Sequence, residues 1–201
     1  MRISDEVTLH APLDRVWRAL NDPAVLVRTL PGCERLEATG PDSYKMIVTA
    51  GVASIRGTYA GEVKLHDQQP PNSFVMTASG AGGPGTVSTE VQVRLVEVDG
   101  ATRLSYDAEA VVGGMIGGVG QRMLAGVGKK MAGEFFAAVD DVLNGRAEAP
   151  VAVTREPGVF VAPGGRPRPA AGQGFAAGAI FGAAIALAGV ALGWRLARRP
   201  R

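Results

Sequence analysis

Chemistry in this chain would have to come from very few residues. It holds two histidines, His10 and His66, and one cysteine, Cys33. A nucleophile–base pair or a metal cluster needs several such groups converging on one point. Each histidine instead lies at the end of a strand-like run, outside any motif, so ordinary surface roles are expected. Cys33 follows the Pro31-Gly32 turn with Glu34 beside it, and a neighbouring carboxylate disfavours the thiolate. It reads as a packed, inert thiol, with a place at a cavity rim as the alternative. A lone cysteine excludes an internal disulfide, and a cysteine-based zinc site would need more thiolates. The sequence therefore assigns no catalytic residue, no metal ligand and no covalently bound cofactor.

Seven glycines crowd one stretch: Gly113, Gly114, Gly117, Gly118, Gly120, Gly126 and Gly128. They form neither G-x-x-x-x-G-K-[ST] nor G-x-G-x-x-G, so no nucleotide loop is read here. Two readings remain open. One is close packing of a helix on a sheet; the other is a mobile lid near Met115 and Ile116.

The elements that must position these residues follow from periodicity. Ile3, Val7 and Leu9 open a strand, with Asp5 breaking a clean alternation. Leu13, Val16, Trp17 and Leu20 share one face of a helix that Pro12 can start and Asn21-Asp22-Pro23 ends. A second short helix spans Ala24 to Leu30 and stops at Pro31-Gly32. Strands then dominate, with alternating runs over 44–50, 55–65, 74–78, 87–95 and 104–110 separated by Gly, Pro, Asn and Asp clusters. A long helix is predicted from about Met115 to Leu143, with Ile116, Val119, Met123, Val127, Met131 and Phe135 stepping along one side. Burying that stripe together with the apolar face of an antiparallel sheet requires laying the helix across the sheet, an α+β architecture. The inward strand positions carry no charge and include many Tyr, Met, Ala and Gly residues. A solid core and an apolar cavity fit that composition equally well.

Residues 146–173 contain five Pro and four Gly without periodicity, which reads as a flexible linker. Gly174 to Trp194 then forms twenty-one residues with no charge and no Pro. As a helix it would run about 31 Å, near the thickness of a bilayer core. Phe175, Ile180, Phe181, Ile185, Leu187 and Leu192 supply the bulk. Trp194 stands where an interfacial aromatic belongs, and Arg195, Arg198, Arg199 and Arg201 follow as contacts for anionic lipid. Gly174, Gly178 and Gly182 have the small-residue spacing of helix–helix association in membranes. Arginines beyond the run oppose the positive-inside tendency, so a tail lying in one leaflet competes with a spanning helix. The N-terminus lacks an apolar signal region, so the folded part is expected on the cytoplasmic face of the cell membrane. Residues 1–145 carry 13 basic and 17 acidic side chains against 8 and 2 in residues 146–201. The acidic part makes a nucleic-acid partner unexpected.

The order strand, two short helices, six strands, long helix resembles that of the START-like superfamily, also called the SRPBCC or polyketide cyclase superfamily. APLDRVWRALNDP resembles its usual opening. LPGCERLE (Leu30 to Glu37) and IRGTYAGEVKL (Ile55 to Leu65), with the Gly-rich lead into the long helix, are similar to the G-subunit family of carbon monoxide dehydrogenase. The resemblance covers residues 1–145. It implies a helix-grip fold, with a curved antiparallel sheet of about seven strands around the long helix, two short helices, and the apolar C-terminal helix separate. It also implies an apolar cavity lined by Tyr44, Met46, Val48, Tyr59, Phe74, Met76, Val91, Tyr106 and Ala108 from the sheet, and by Met115, Ile116, Val119 and Met123 from the helix. Such a cavity would hold a hydrophobic small molecule, a respiratory quinone or another lipid, with Tyr59 or Tyr106 offering a hydroxyl. The implied role is non-catalytic: an accessory that links a molybdenum hydroxylase such as carbon monoxide dehydrogenase to the membrane. The alternatives are a recruitment scaffold that carries no ligand, and an enzyme of the cyclase or hydrolase type.

Overall fold

A computed structural model describes residues 1–147, 152–153 and 157–162. The N-terminal elements follow their punctuation. Strand β1 (Arg2–Leu9) leads to helix α1 (Leu13–Leu20), which begins after an extended Pro12 and buries Val16, Ala19 and Leu20. Asp14 in its first turn and Arg18 in its last match the helix dipole. Helix α2 (Pro23–Thr29) is capped by Asp22, whose side chain accepts from the Ala24 N–H at 2.8 Å, with Pro23 in the first turn.

Seven strands make the main sheet: β1, β2 (Cys33–Gly40), β3 (Ser43–Val52), β4 (Ile55–Gln69), β5 (Ser73–Gly82), β6 (Gly85–Val98) and β7 (Ala101–Gly114). All pairings are antiparallel. Asp99 and Gly100, with φ of 53° and 78°, turn β6 into β7. Two successive positive φ values are what a type I′ hairpin turn requires. Strand β2 carries no clear alternation, because its outer half is exposed on both faces. Gly32 in the LPGC run is a backbone requirement. At φ 72° its Cβ would lie 2.1 Å from the Thr49 carbonyl oxygen, and its own carbonyl accepts from the Thr49 N–H at 2.8 Å.

Helix α3 (Gln121–Leu143) closes the fold. It packs against β1 and also against β3. The strand order runs β1-β7-β6-β5-β4-β3-β2, so those two strands lie five steps apart. That is about 24 Å in a flat sheet, more than a helix about 10 Å wide can bridge, so the sheet curves around the helix. The helix-grip expectation holds for the described residues. The apolar run from Gly174 lies outside them, and no helix among the described residues is long and apolar enough to cross a membrane.

Two expectations are corrected. The long helix does not begin at Met115. Residues Met115–Val119 form one 3-10 turn, and the chain breaks at Gly120, with φ 100°, before α3 starts at Gln121. In the first turn of α3 Leu124 is the buried residue, while Met123 is 50% exposed. The stretch 146–173 is also not wholly linker. Val159–Val161 forms strand β9 on the free edge of β2, with Ala152–Val153 pairing outside it as β8. Val159 and Val161 are buried, and the Ala38 N–H donates to the Gly158 carbonyl at 2.9 Å. The folded unit accordingly includes β9. Averaged composition hides this, because three alternating residues need a neighbouring edge to pair with before they count as a strand.

Candidate ligand-binding interior

The grip is filled at one end. There Trp17 meets Phe74 edge-on with ring centroids 5.7 Å apart, Tyr106 lies 5.6 Å from Phe136, and Phe135 lies 5.0 Å from Phe136. Tyr44, Leu65, Phe74, Val93, Leu95 and Leu104 are buried around them, with Val16, Leu20, Val139 and Leu143 supplied by the helices. This floor forms where α1 meets β6 and β7, α2 meets β2, and both short helices meet α3.

Further along the strands the packing changes. Met46, Val48, Tyr59, Met76, Ala78, Thr89, Val91, Tyr106 and Ala108 point inward by register, yet each is only partly buried. By backbone approach α3 lies nearest to the flanking strands β1 and β3, while its Phe136 ring meets Tyr106 of β7. Met46, Val48, Met76, Val91 and Tyr106 border the buried core without being enclosed by it. None of these nine side chains is charged. Where a core would place Leu or Phe, the sheet here has Ala78, Ala108, Gly61 and Gly80. The far end is covered by the 3-10 turn, with Ile116 only 4% exposed beside Pro84, and by Leu124.

Each predicted lining residue can now be placed. Tyr44 and Phe74 belong to the filled floor. Met46, Val48, Tyr59, Met76, Val91, Tyr106 and Ala108 come together on the half-open inner face. Ile116 is buried at the far end and Val119 partly buried beside it. Met115, 65% exposed, and Met123 stand outward at the rim. Thr89 and Ala78 complete the inner face. Thr89 keeps the alternation of its strand, but its polarity hides it from a search for apolar lining.

The phenols in this region are donors. Burial pushes the Tyr44 hydroxyl above its ordinary range, with Asp42 and Asp22 adding to the effect. Burial does the same to Tyr106, helped by Asp5. Asp5 points inward on the edge strand opposite Tyr106 and pairs with Lys129 of α3 at 3.5 Å, which explains the break in the alternation of β1. Tyr106 thus keeps its proton at neutral pH and offers an O–H to an acceptor inside an otherwise apolar surface.

The remaining reactive groups are used in structure. The Asp140 carboxylate accepts from the His10 backbone N–H at 2.6 Å, lies 3.1 Å from His10 Nδ1, and takes a bond from Arg146 at 2.9 Å. Burial opposes its charge, but the two His10 contacts and Arg146 outweigh burial and hold its pKa below the usual carboxylate range. His66 lies 2.9 Å from Asp67, where β4 bulges. Burial, with Glu34 adding, pushes the Cys33 thiol up to about 11. Among the described residues no three His, Cys, Asp or Glu side chains gather as a metal site. A groove of about 870 Å³ crosses the opposite face of the sheet, lined by Lys45, Glu62, Lys64, Ser88 and Glu90, and it also touches Ala78 and Thr89, part of whose exposure is therefore on that side. Its charges suit a polar partner, not an apolar one.

Comparison with known proteins agrees with this fold. A conserved protein of solved structure from Geobacillus kaustophilus is 33% identical, with 72% of this chain and 96% of that chain covered and a TM-score of 0.70. Protein CV1439 from Chromobacterium violaceum shares the fold at 19% identity, with 73% and 99% covered and a TM-score of 0.54. The ZhuI aromatase/cyclase from Streptomyces sp. R1128 does so at 18%, with 74% and 96% covered and a TM-score of 0.53. Among curated proteins no relative matches. The profile of the carbon monoxide dehydrogenase G-subunit (CoxG) matches residues 6–144. The chain therefore belongs to the G-subunit (CoxG) family of carbon monoxide dehydrogenase.

Proposed function

We propose that the protein is a non-catalytic accessory that carries a hydrophobic small molecule in its grip and works at a membrane beside a molybdenum hydroxylase. The observation that carries this reading is the set of uncharged, only partly buried inward positions from Met46 to Ala108 that borders the core. A surface of this kind takes an apolar ligand, and the Tyr106 hydroxyl can hold one polar group of it. A quinone fits: an apolar ring and tail with carbonyl oxygens that accept one O–H each. The family supplies the partner, since its name is that of a carbon monoxide dehydrogenase component. The uncharged run Gly174 to Trp194, with Arg195, Arg198, Arg199 and Arg201 after it, supplies the bilayer attachment.

The test is titration of the full chain with decylubiquinone, followed by quenching of the tryptophans. Saturable binding near one per chain is expected. Absence of binding, with recruitment of the partner enzyme to vesicles intact, would replace the carrier by a scaffold.

A further inference from the structure

We infer that residues Met115–Val119 are a hinged gate to the interior, latched by Ile116. The inference rests on the ligand-carrying reading and adds the route of entry. Three observations meet at this segment. It is a single 3-10 turn bounded by Gly114 at φ 77° and Gly120 at φ 100°, both conformations that side chains disfavour. Neither end is tied down by a capping side chain. Between the glycines, Met115 and Gly118 are exposed, and Ile116 alone is buried.

The latch has a built receptor on the β5–β6 turn. The Ile116 N–H donates to the Pro84 carbonyl at 3.2 Å. Pro84 in turn sits directly on Gly57 of β4, where a Cβ would lie 2.4 Å from its ring. At Gly85 a Cβ would stand 3.1 Å from Ile116 Cγ1, so Gly85 leaves the notch that the isoleucine fills. Gly57 and Gly85 thus shape a socket, and Ile116 is the peg. Opening breaks the Ile116–Pro84 hydrogen bond, withdraws Ile116 and lifts Gly117 off the Val112 carbonyl of β7, from which a Cβ there would stand 2.9 Å. The half-buried face behind the turn, including Tyr59, Thr89 and Ala108, would then be reachable by an elongated apolar molecule. The exposed Met115 and Met123 at the rim offer an adaptable apolar lip to it.

Two variants of the full chain separate the gate from the fold. Ile116→Ala empties the socket and should raise the opening frequency at least about tenfold. Gly118→Ala has nothing within 4 Å of the added methyl and no positive φ, so it should stiffen the turn and slow opening about threefold. Hydrogen exchange at the Ile116 amide reads opening directly, and stopped-flow release of decylubiquinone reads gating. The proposal expects both readouts to move together, faster in Ile116→Ala and slower in Gly118→Ala. It also expects the Leu95 and Leu104 amides to exchange far more slowly than Ile116. An Ile116 amide that exchanges only with global unfolding overturns the gate. So does release that ignores both variants while exchange responds. If exchange responds but no quinone binds at all, carriage is wrong and the segment is no entry route.

Discussion

Replacing Ala108 by Trp asks whether the interior is space or core. Ala108 lies on β7, opposite Ile3 of β1 and Val91 of β6, and points into the half-open face. In a close-packed core an added indole has nowhere to go, and overpacking costs about 1–3 kcal/mol or more. In an open interior the ring leaves water. A tryptophan buries about 200 Å² when fully enclosed, worth about 5 kcal/mol at 25 cal/mol per Å². Half enclosure, offset by side-chain ordering, leaves the fold unchanged or up to about 2 kcal/mol more stable. Urea unfolding of Ala108→Trp and of the parent, at equal m-value, gives that difference. The same variant should weaken decylubiquinone binding at least about 100-fold, because a pocketed ligand buries most of its surface against the lining. Loss of more than about 3 kcal/mol with binding retained would show that the inner face is a filled core and that the ligand sits elsewhere.

Other outcomes follow from single positions. Gly126→Ala and Gly133→Ala add methyls to α3 where nothing lies within 4 Å, and together should raise stability by about 1–2 kcal/mol in the same assay, leaving ligand release unchanged. Gly32→Ala should cost at least about 2 kcal/mol, since its methyl would meet the Thr49 carbonyl and its φ is positive. Asp140 has a folded-state pKa below its unfolded value. Its stabilising contribution is therefore full at neutral pH and is lost as pH falls through the acidic range toward the folded value. Asp140→Asn should cost about 1–3 kcal/mol at pH 7, and the cost should shrink toward zero as the parent's carboxylate is protonated, measured by thermal melts between pH 7 and 3.

How far the sequence reaches can be seen element by element. Period-two alternation announces β3 through β7, because each of these strands has one wet face and the register cannot slip without exposing the other. The Asn21-Asp22-Pro23 break separates α1 from α2 in the sequence, while the cap that Asp22 places on the Ala24 N–H shows only in the structure. The inner face is legible as uncharged. Only the structure shows which inward positions are fully buried and which are not, since that depends on where α1, α2 and α3 meet the sheet. Strand β2 is hidden by its exposed outer half. Strand β9 is hidden within a Pro/Gly-rich stretch, because Val159 and Val161 become a strand only on the edge of β2. Periodicity places the helix start too early, at Met115, because the apolar pattern runs straight through Gly120, whose backbone conformation no periodicity reports. Asp5 looks like a flaw in β1 until Lys129 appears opposite it.

The central claim is that the grip holds a hydrophobic molecule. Native mass spectrometry of the full chain released from lipid nanodiscs that contain quinone tests it most directly. A one-to-one adduct of quinone mass is expected, and it should disappear in Ala108→Trp. A chain that emerges with no adduct, or one whose adduct survives that substitution, would contradict it.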